Sequence, residues 1–281
     1  MLRRTNRLIF VIVVILSISL RLHAQSYEEW INYSFEYIEN NQLDSAEIAL
    51  QSALIQDPAN PINALLLNNL GSIQRTLGKK EDALLSYSLA LNRYPENETF
   101  LSSRAALFAE VGQFQNALLD YNRLLERFPN NIEYLYQRGL LLLSTKDFDS
   151  AEKDFAQILL LHPDNVYARI GYASYYKITG NYDEAEKLYN RLIERDLENP
   201  MLLAGRAELY LLLEKGSKAA NDINKVISLV DNPNPYHYII RSKAKLLLYE
   251  KEAALQDIDK AVELGYDLEE AELLRSQIQP H

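Results

Sequence analysis

The side chains able to do chemistry in this chain are few and poorly placed for it. There are four histidines, at His23, His162, His237 and His281, and no two stand at metal-ligand spacing. There is no cysteine, which removes disulfides, thiolate nucleophiles, Cys-ligated zinc and a lipid-modified Cys. No G-x-S-x-G, P-loop or dinucleotide fingerprint occurs. Carboxylate pairs such as Glu28-Glu29 are those of a solvated helical surface. The reading is of a protein that is not an enzyme, with no catalytic residues, no metal and no cofactor. Asn-Tyr-Ser at 32–34 and Asn-Glu-Thr at 97–99 match glycosylation acceptors, with Asn32 expected inside a helix. Asp-Ser-Ala at 44–46 and 149–151 is similar to an O-glycan acceptor, and helix capping accounts for both occurrences.

One pattern of charges is better organised. Arg104, Arg138, Arg206 and Arg241 stand at one recurring place, and Asp120, Asp154, Asp222 and Asp257 at another. Where the arginine is replaced by Tyr33, Leu70 or Tyr172, the aspartate is replaced too, by Ala49, Ser86 or Leu188. Charges that come together or not at all predict an ion pair, within a hairpin or between neighbours.

The elements that must position these pairs follow from a longer rhythm. Ala46, Ala83, Ala117, Ala151, Ala185, Ala219 and Ala254 are separated by 37, 34, 34, 34, 34 and 35 residues. Each opens an apolar run after a turn, and a period near 34 marks an array of helical hairpins. A methyl group at one fixed point of every hairpin predicts a close helix crossing there. Gly78, Gly112, Gly180 and Asn41 are placed to end first helices in the left-handed region. Asp44, Glu81, Asp149 and Asp183 are placed to start second helices, by dipole and capping. Pro58, Pro95, Pro129 and Pro163 stop second helices.

The motifs are more specific than the period. Trp30, Tyr33-Ser34, Tyr37, Ala46, Leu50, Ala53 and Pro58 are followed by Leu67, Leu70-Gly71, Ala83, Tyr87, Ala90 and Pro95. The small residues Ala105, Gly139, Ala173, Ala207 and Ser242 keep the same phase. This resembles the tetratricopeptide repeat, W-x2-L-G-x2-Y, then A-x3-F, then A and P. Repeats are placed at about 27–60, 64–97, 98–131, 132–165, 166–199, 200–233 and 235–268, an array over 25–268, with a capping helix and tail at 269–281. The fold class expected is all-α: a right-handed α-solenoid of about seven repeats.

The resemblance implies first helices lining a concave groove that takes a peptide segment. It places Phe35, Asn68, Asn69, Arg75, Tyr136, Leu140, Tyr167, Ser174 and Tyr236 in that groove, with Ile31, Ser72, Ile170, Lys177, Glu208, Ile239 and Lys243 beside them. The lining is neutral and aromatic, so the ligand expected is an apolar or aromatic segment rather than an acidic tail. The carboxylate clamp of chaperone-binding relatives is broken: Ile31, Phe35, Thr99 and Ser103 occupy its places, and only Asn69 matches. The alternatives are an accessory subunit of an envelope or secretion assembly held by lateral surfaces and, less favoured, a small-ligand receptor or enzyme.

The start of the chain reads as a signal peptide over 1–24. Arg3, Arg4 and Arg7 precede an apolar run from Leu8 to Leu20, and Ala24 is a plausible cleavage point. Arg21 ends the run short of the ~20 residues a spanning helix needs. The expectation is export to the periplasm of a Gram-negative bacterium without stable membrane insertion; the alternative is an inner-membrane anchor at 8–20. The full chain carries −10, and loss of the leader leaves 25 basic against 39 acidic residues. That balance disfavours nucleic acid and anionic lipid and leaves proteins as the partners.

Overall fold

A computed structural model describes residues 25–278; the leader 1–24 and the tail 279–281 lie outside them. The described residues form fifteen α-helices and no strand. They gather into two compact lobes divided after Arg127. The first lobe holds α1 (Tyr27–Glu39), α2 (Leu43–Gln56), α3 (Asn63–Thr76), α4 (Lys80–Arg93), α5 (Glu98–Glu110) and α6 (Phe114–Arg127). The second holds α7 (Ile132–Ser144), α8 (Phe148–Leu161), α9 (Val166–Ile178), α10 (Tyr182–Arg195), α11 (Pro200–Leu212), α12 (Gly216–Leu229), α13 (Pro235–Leu247), α14 (Lys251–Glu263) and α15 (Leu268–Ile278). Each lobe is a helical solenoid. Within a lobe, helices pack as sequential antiparallel pairs, and the first helix of one pair also touches the first helix of the next.

Local chemistry explains the boundaries. All first helices but α3, which starts after Ile62, begin at a polar N-cap whose side-chain oxygen accepts a backbone N–H: Ser26 from Glu29, Asn97 from Phe100, Asn131 from Tyr134, Asn165 from Ala168, Asn199 from Leu202 and Asn234 from Tyr236. They end where the chain turns left-handed, at Asn41 (φ 56°), Gly78 (φ 78°), Gly112 (φ 75°) and Gly180 (φ 84°) as expected. In the fourth, sixth and seventh hairpins the same turn is made by Lys146, Glu214 and Tyr249, at φ 55–64°, where a side chain is strained. The second helices of the first four hairpins end two residues before a proline, at Gln56, Arg93, Arg127 and Leu161. The residue ahead of the proline, Asp57, Tyr94 or His162, is extended at φ between −131° and −138°, because the proline ring excludes the helical region there.

One expectation needs correcting. Asp44, Glu81, Asp149 and Asp183 do lie in first turns and so complement the helix dipole. They are not the caps. Asp147 caps α8 by accepting from the Ser150 N–H, while Gln42, Lys79 and Asn181 make no such bond. Asn32 is within α1, and the oxygen of Asn97 is already engaged as a cap.

The seven periodic alanines are all fully buried. Their second helices carry a large side chain one turn on, and small residues receive it. A methyl on Gly139 would stand 2.5 Å from the Phe155 ring, and one on Gly171, in the next first helix, 2.4 Å from it. Tyr87 lies likewise against Gly71, and Tyr189 against Gly205. Phe155 thus fills the space between its own first helix and the following one, which is how a hairpin that cannot bury its apolar face alone obtains a core. At the end of the second lobe, α15 lays Ala271 and Ile278 against Ile239, Ile258 and Ala261.

Candidate functional site

The arginine–aspartate pairs form, and they form within hairpins. Arg104 donates to both oxygens of Asp120 at 2.8 Å; Arg138 reaches Asp154 at 2.6 and 2.8 Å. Arg206 meets Asp222 at 2.7 and 2.8 Å, and Arg241 meets Asp257 at 2.6 and 2.9 Å. The aspartates are buried while the arginine stems stay part-exposed. Several arginines bridge further: Arg104 donates to Ser88, Arg206 to Asn190 and Arg241 to Asn224, each on the preceding second helix. The forks fasten the two helices of a hairpin, the added bonds tie hairpin to hairpin, and together they leave little for a ligand. They are architecture.

The first helices of the second lobe offer more. Tyr136 on α7, Tyr167 on α9 and Met201 on α11 come together around a cavity of about 400 Å³, closed by Ile132, Glu133 and Gln137. The Tyr136 and Tyr167 rings lie 5.5 Å apart with planes 55° from parallel, making a corner. The Tyr136 hydroxyl donates to the Met201 sulfur at 3.8 Å, and its ring packs on Phe155 at 6.3 Å. Burial pushes the Tyr136 phenol up to about 12. Tyr167 remains half-exposed. The sequence named Tyr136 and Tyr167; it missed Met201, which holds in α11 the place Tyr167 holds in α9.

Farther along this face Lys177 and Glu208 form an ion pair between α9 and α11. Burial alone would lower the Lys177 pKa; the Tyr189 phenol and the Glu208 carboxylate overcome it, and the net shift is upward. Ser174 stands 3.5 Å from the Tyr189 hydroxyl, and Leu140 is half-buried. Tyr236 on α13 is part-exposed, its phenol raised first by burial and then by Glu208. Ile170 and Ile239 leave the expected lining, since both are buried in the core, where the helix face they occupy meets its neighbours.

In the first lobe the expected residues disperse into separate tasks. Phe35 is half-exposed and Asn69 half-buried. Asn68 is buried, and its Oδ1 has no partner. Arg75 is engaged with Glu110 at 2.7 Å. Burial would raise the Glu110 carboxyl, but hydrogen bonds from Arg75 and Lys80 hold it below the usual range. A buried relay also went unread: Lys79 and Gln74 both donate to the Glu47 carboxylate, at 2.6 and 3.1 Å, and Ser86 donates to Gln74. Its signal is periodic. Glu186 and Lys215 recur at the same two places and pair at 2.8 Å.

Two further features bear on function. Ile48, Leu85 and Leu119, each two residues after a periodic alanine, are 60–63 % exposed in successive second helices of the first lobe. Lys153, Lys187, Asn221 and Gln256 hold that place in the second lobe. Among the described residues no three His, Asp or Glu side chains gather as metal ligands, and no helix is long and apolar enough to cross a membrane.

Family models described as tetratricopeptide repeat match residues 36–98, 103–166 and 142–209. The crystal structure of a tetratricopeptide repeat protein from Parabacteroides merdae superposes with a TM-score of 0.81 at 42 % identity, over 91 % of this chain and 99 % of that one. Yeast Tom70 matches at 19 % identity and a TM-score of 0.59, over 84 % of this chain and 52 % of its own. PilW, a type IV pilus biogenesis factor, matches at 18 % and 0.54, over 77 % of this chain and all of its own. The last two likenesses speak to fold alone. No curated protein matches the chain.

Proposed function

Because the chain belongs to the tetratricopeptide repeat family, whose modules bind proteins, we propose that it is a non-catalytic scaffold that seats an extended partner segment on the first helices of its second lobe. The observation that carries this reading is the Tyr136–Tyr167–Met201 cavity. Three successive first helices each contribute one large, adaptable side chain to it, and part-exposed aromatic and thioether groups around a concavity suit a buried anchor residue of a partner. The partner segment enters the cavity with one large side chain, and Lys177 and Glu208, being paired, add no net charge beside it.

The scaffold works in the cell envelope. Support comes from the basic start and short apolar run of residues 1–24. Intact-mass measurement of the protein from envelope fractions should give an N-terminus at Gln25; a full-length, membrane-retained species would defeat this. A second reading rests on Ile48, Leu85 and Leu119, an exposed apolar row that suits attachment to an assembly through outer surfaces. Crosslinking in envelope extract separates the two. Tyr167→Ala should abolish partner crosslinks while Leu85→Glu/Leu119→Glu leaves them; the opposite outcome gives the function to the outer row.

A further inference from the structure

We infer that the anchor residue taken by the Tyr136–Tyr167–Met201 cavity is a cation: an arginine or lysine side chain of the partner segment. The inference rests on the groove reading above and specifies its chemistry. The six lining residues are Ile132, Glu133, Tyr136, Gln137, Tyr167 and Met201. They comprise two phenol rings, a thioether, one amide, one branched aliphatic and one carboxylate, and no cation.

Three properties converge. First, the tilted pair of rings 5.5 Å apart presents π surface from two directions, and a cation near such rings is attracted by their quadrupoles. Second, Glu133 is exposed at this cavity and forms no ion pair among the described residues. Farther along the same face the Glu208 carboxylate is matched by Lys177, so the carboxylate of Glu133 beside the two rings stands out. Third, the Tyr136 hydroxyl is turned to the Met201 sulfur, which keeps its hydrogen away from the cavity and adds a soft, polarisable wall. The stem of an arginine or lysine would lie along Ile132 and Met201 while its head meets Glu133 and the rings, as amphipathic side chains do. The acidic chain, at −10 overall, favours approach of such a segment.

The test uses a random-peptide display library selected on the purified protein, followed by synthetic peptides of the enriched sequences. Enriched peptides should share an arginine or lysine. Replacing it with norleucine, which keeps an apolar stem, should weaken binding about tenfold, and Tyr167→Leu should weaken it comparably. Glu133→Gln should weaken the cationic peptide about three- to tenfold and leave the norleucine peptide unchanged. Circular dichroism of both variants establishes that they fold. Peptides that need Tyr167 yet show no preference for a cation, and no response to Glu133→Gln, would overturn the inference and leave the groove reading standing. Absence of any peptide whose capture depends on Tyr167 would overturn both.

Discussion

The fourth and fifth hairpins share one frame and fill it differently. In the fourth, Arg138 and Asp154 join α7 to α8 by a two-bonded fork. In the fifth the same two places hold Tyr172 and Leu188. The Tyr172 ring lies 5.9 Å from Phe155 of the hairpin before and 6.2 Å from Tyr176 of its own helix. Where the fork is absent the outer surface opens into a cleft of about 530 Å³, walled by Tyr172, Tyr176 and Leu188 and rimmed by Arg169, Lys187 and Arg191. A seam closed by directed hydrogen bonds is tight and fragile to loss of one partner. A seam closed by rings is looser and tolerant.

The largest effect expected from breaking this contrast is at Asp154. Asp154→Ala strands the Arg138 guanidinium in a part-buried seam and should cost about 3–5 kcal/mol, whereas Leu188→Ala in the fifth hairpin should cost about half that or less. Denaturant titration measures both. A cycle of Arg138→Ala and Asp154→Ala should show coupling of at least about 0.5 kcal/mol; additive effects would reduce the fork to a bystander.

Next comes the ring shared by both hairpins. Gly171→Ala would place a methyl 2.4 Å from Phe155, and overpacking of this kind costs roughly 1–3 kcal/mol. Phe155→Leu in the same chain should recover part of that loss, because the smaller side chain makes room. If Gly171→Ala leaves the unfolding midpoint unmoved, the ring is not confined between the two helices.

Alkaline titration tests the corner between the hairpins. The Tyr136 phenol ionises near 10 when unfolded and at about 12 when folded. The folded state therefore holds its proton more tightly, and the stabilisation is complete below pH 10 and is lost as pH rises from 10 to 12. On the order of 2 kcal/mol should vanish across that window. Tyr136→Phe should show a shallower decline, measured by unfolding at stepped pH; an unchanged slope would mean the phenol is not held in a buried corner.

The smallest effect concerns the turns. The fourth hairpin turns at Lys146, φ 64°, and the fifth at Gly180, φ 84°. Lys146→Gly should stabilise by about 0.5–1 kcal/mol by relieving left-handed strain, and Gly180→Ala should cost about 1 kcal/mol for the converse reason. Thermal melts resolve both, and opposite signs at the two sites are the expected signature.

Much of the frame could be read before any coordinates. The periodic alanines, turn glycines and prolines act through local backbone rules that hold whatever the neighbours are, so the helices fall where those residues place them. The Arg–Asp forks were legible for another reason: two sites that change together betray a contact. The caps were partly misread: Asn131, Asn165 and Asn199 cap first helices, while the acids expected to cap second helices stand at the second helical residue, within the first turn. The site was legible only in part. Tyr136 and Tyr167 could be named from the repeat phase, but Arg75, Asn68 and Asn69 share that phase and lead elsewhere: into an ion pair, a buried side chain and a half-buried one.

Sequence by itself determined the hairpin period, the turns at Asn41, Gly78, Gly112 and Gly180 and the Arg–Asp pairs, because each depends on residues close along the chain or repeated at a fixed interval. Tertiary structure alone decided that Met201 joins Tyr136 and Tyr167, that Glu133 stands unmatched beside them and that Phe155 is held between Gly139 and Gly171. Each of those relations includes a side chain or glycine from another hairpin. Their distances follow from how the helices stack, which no interval within one repeat specifies.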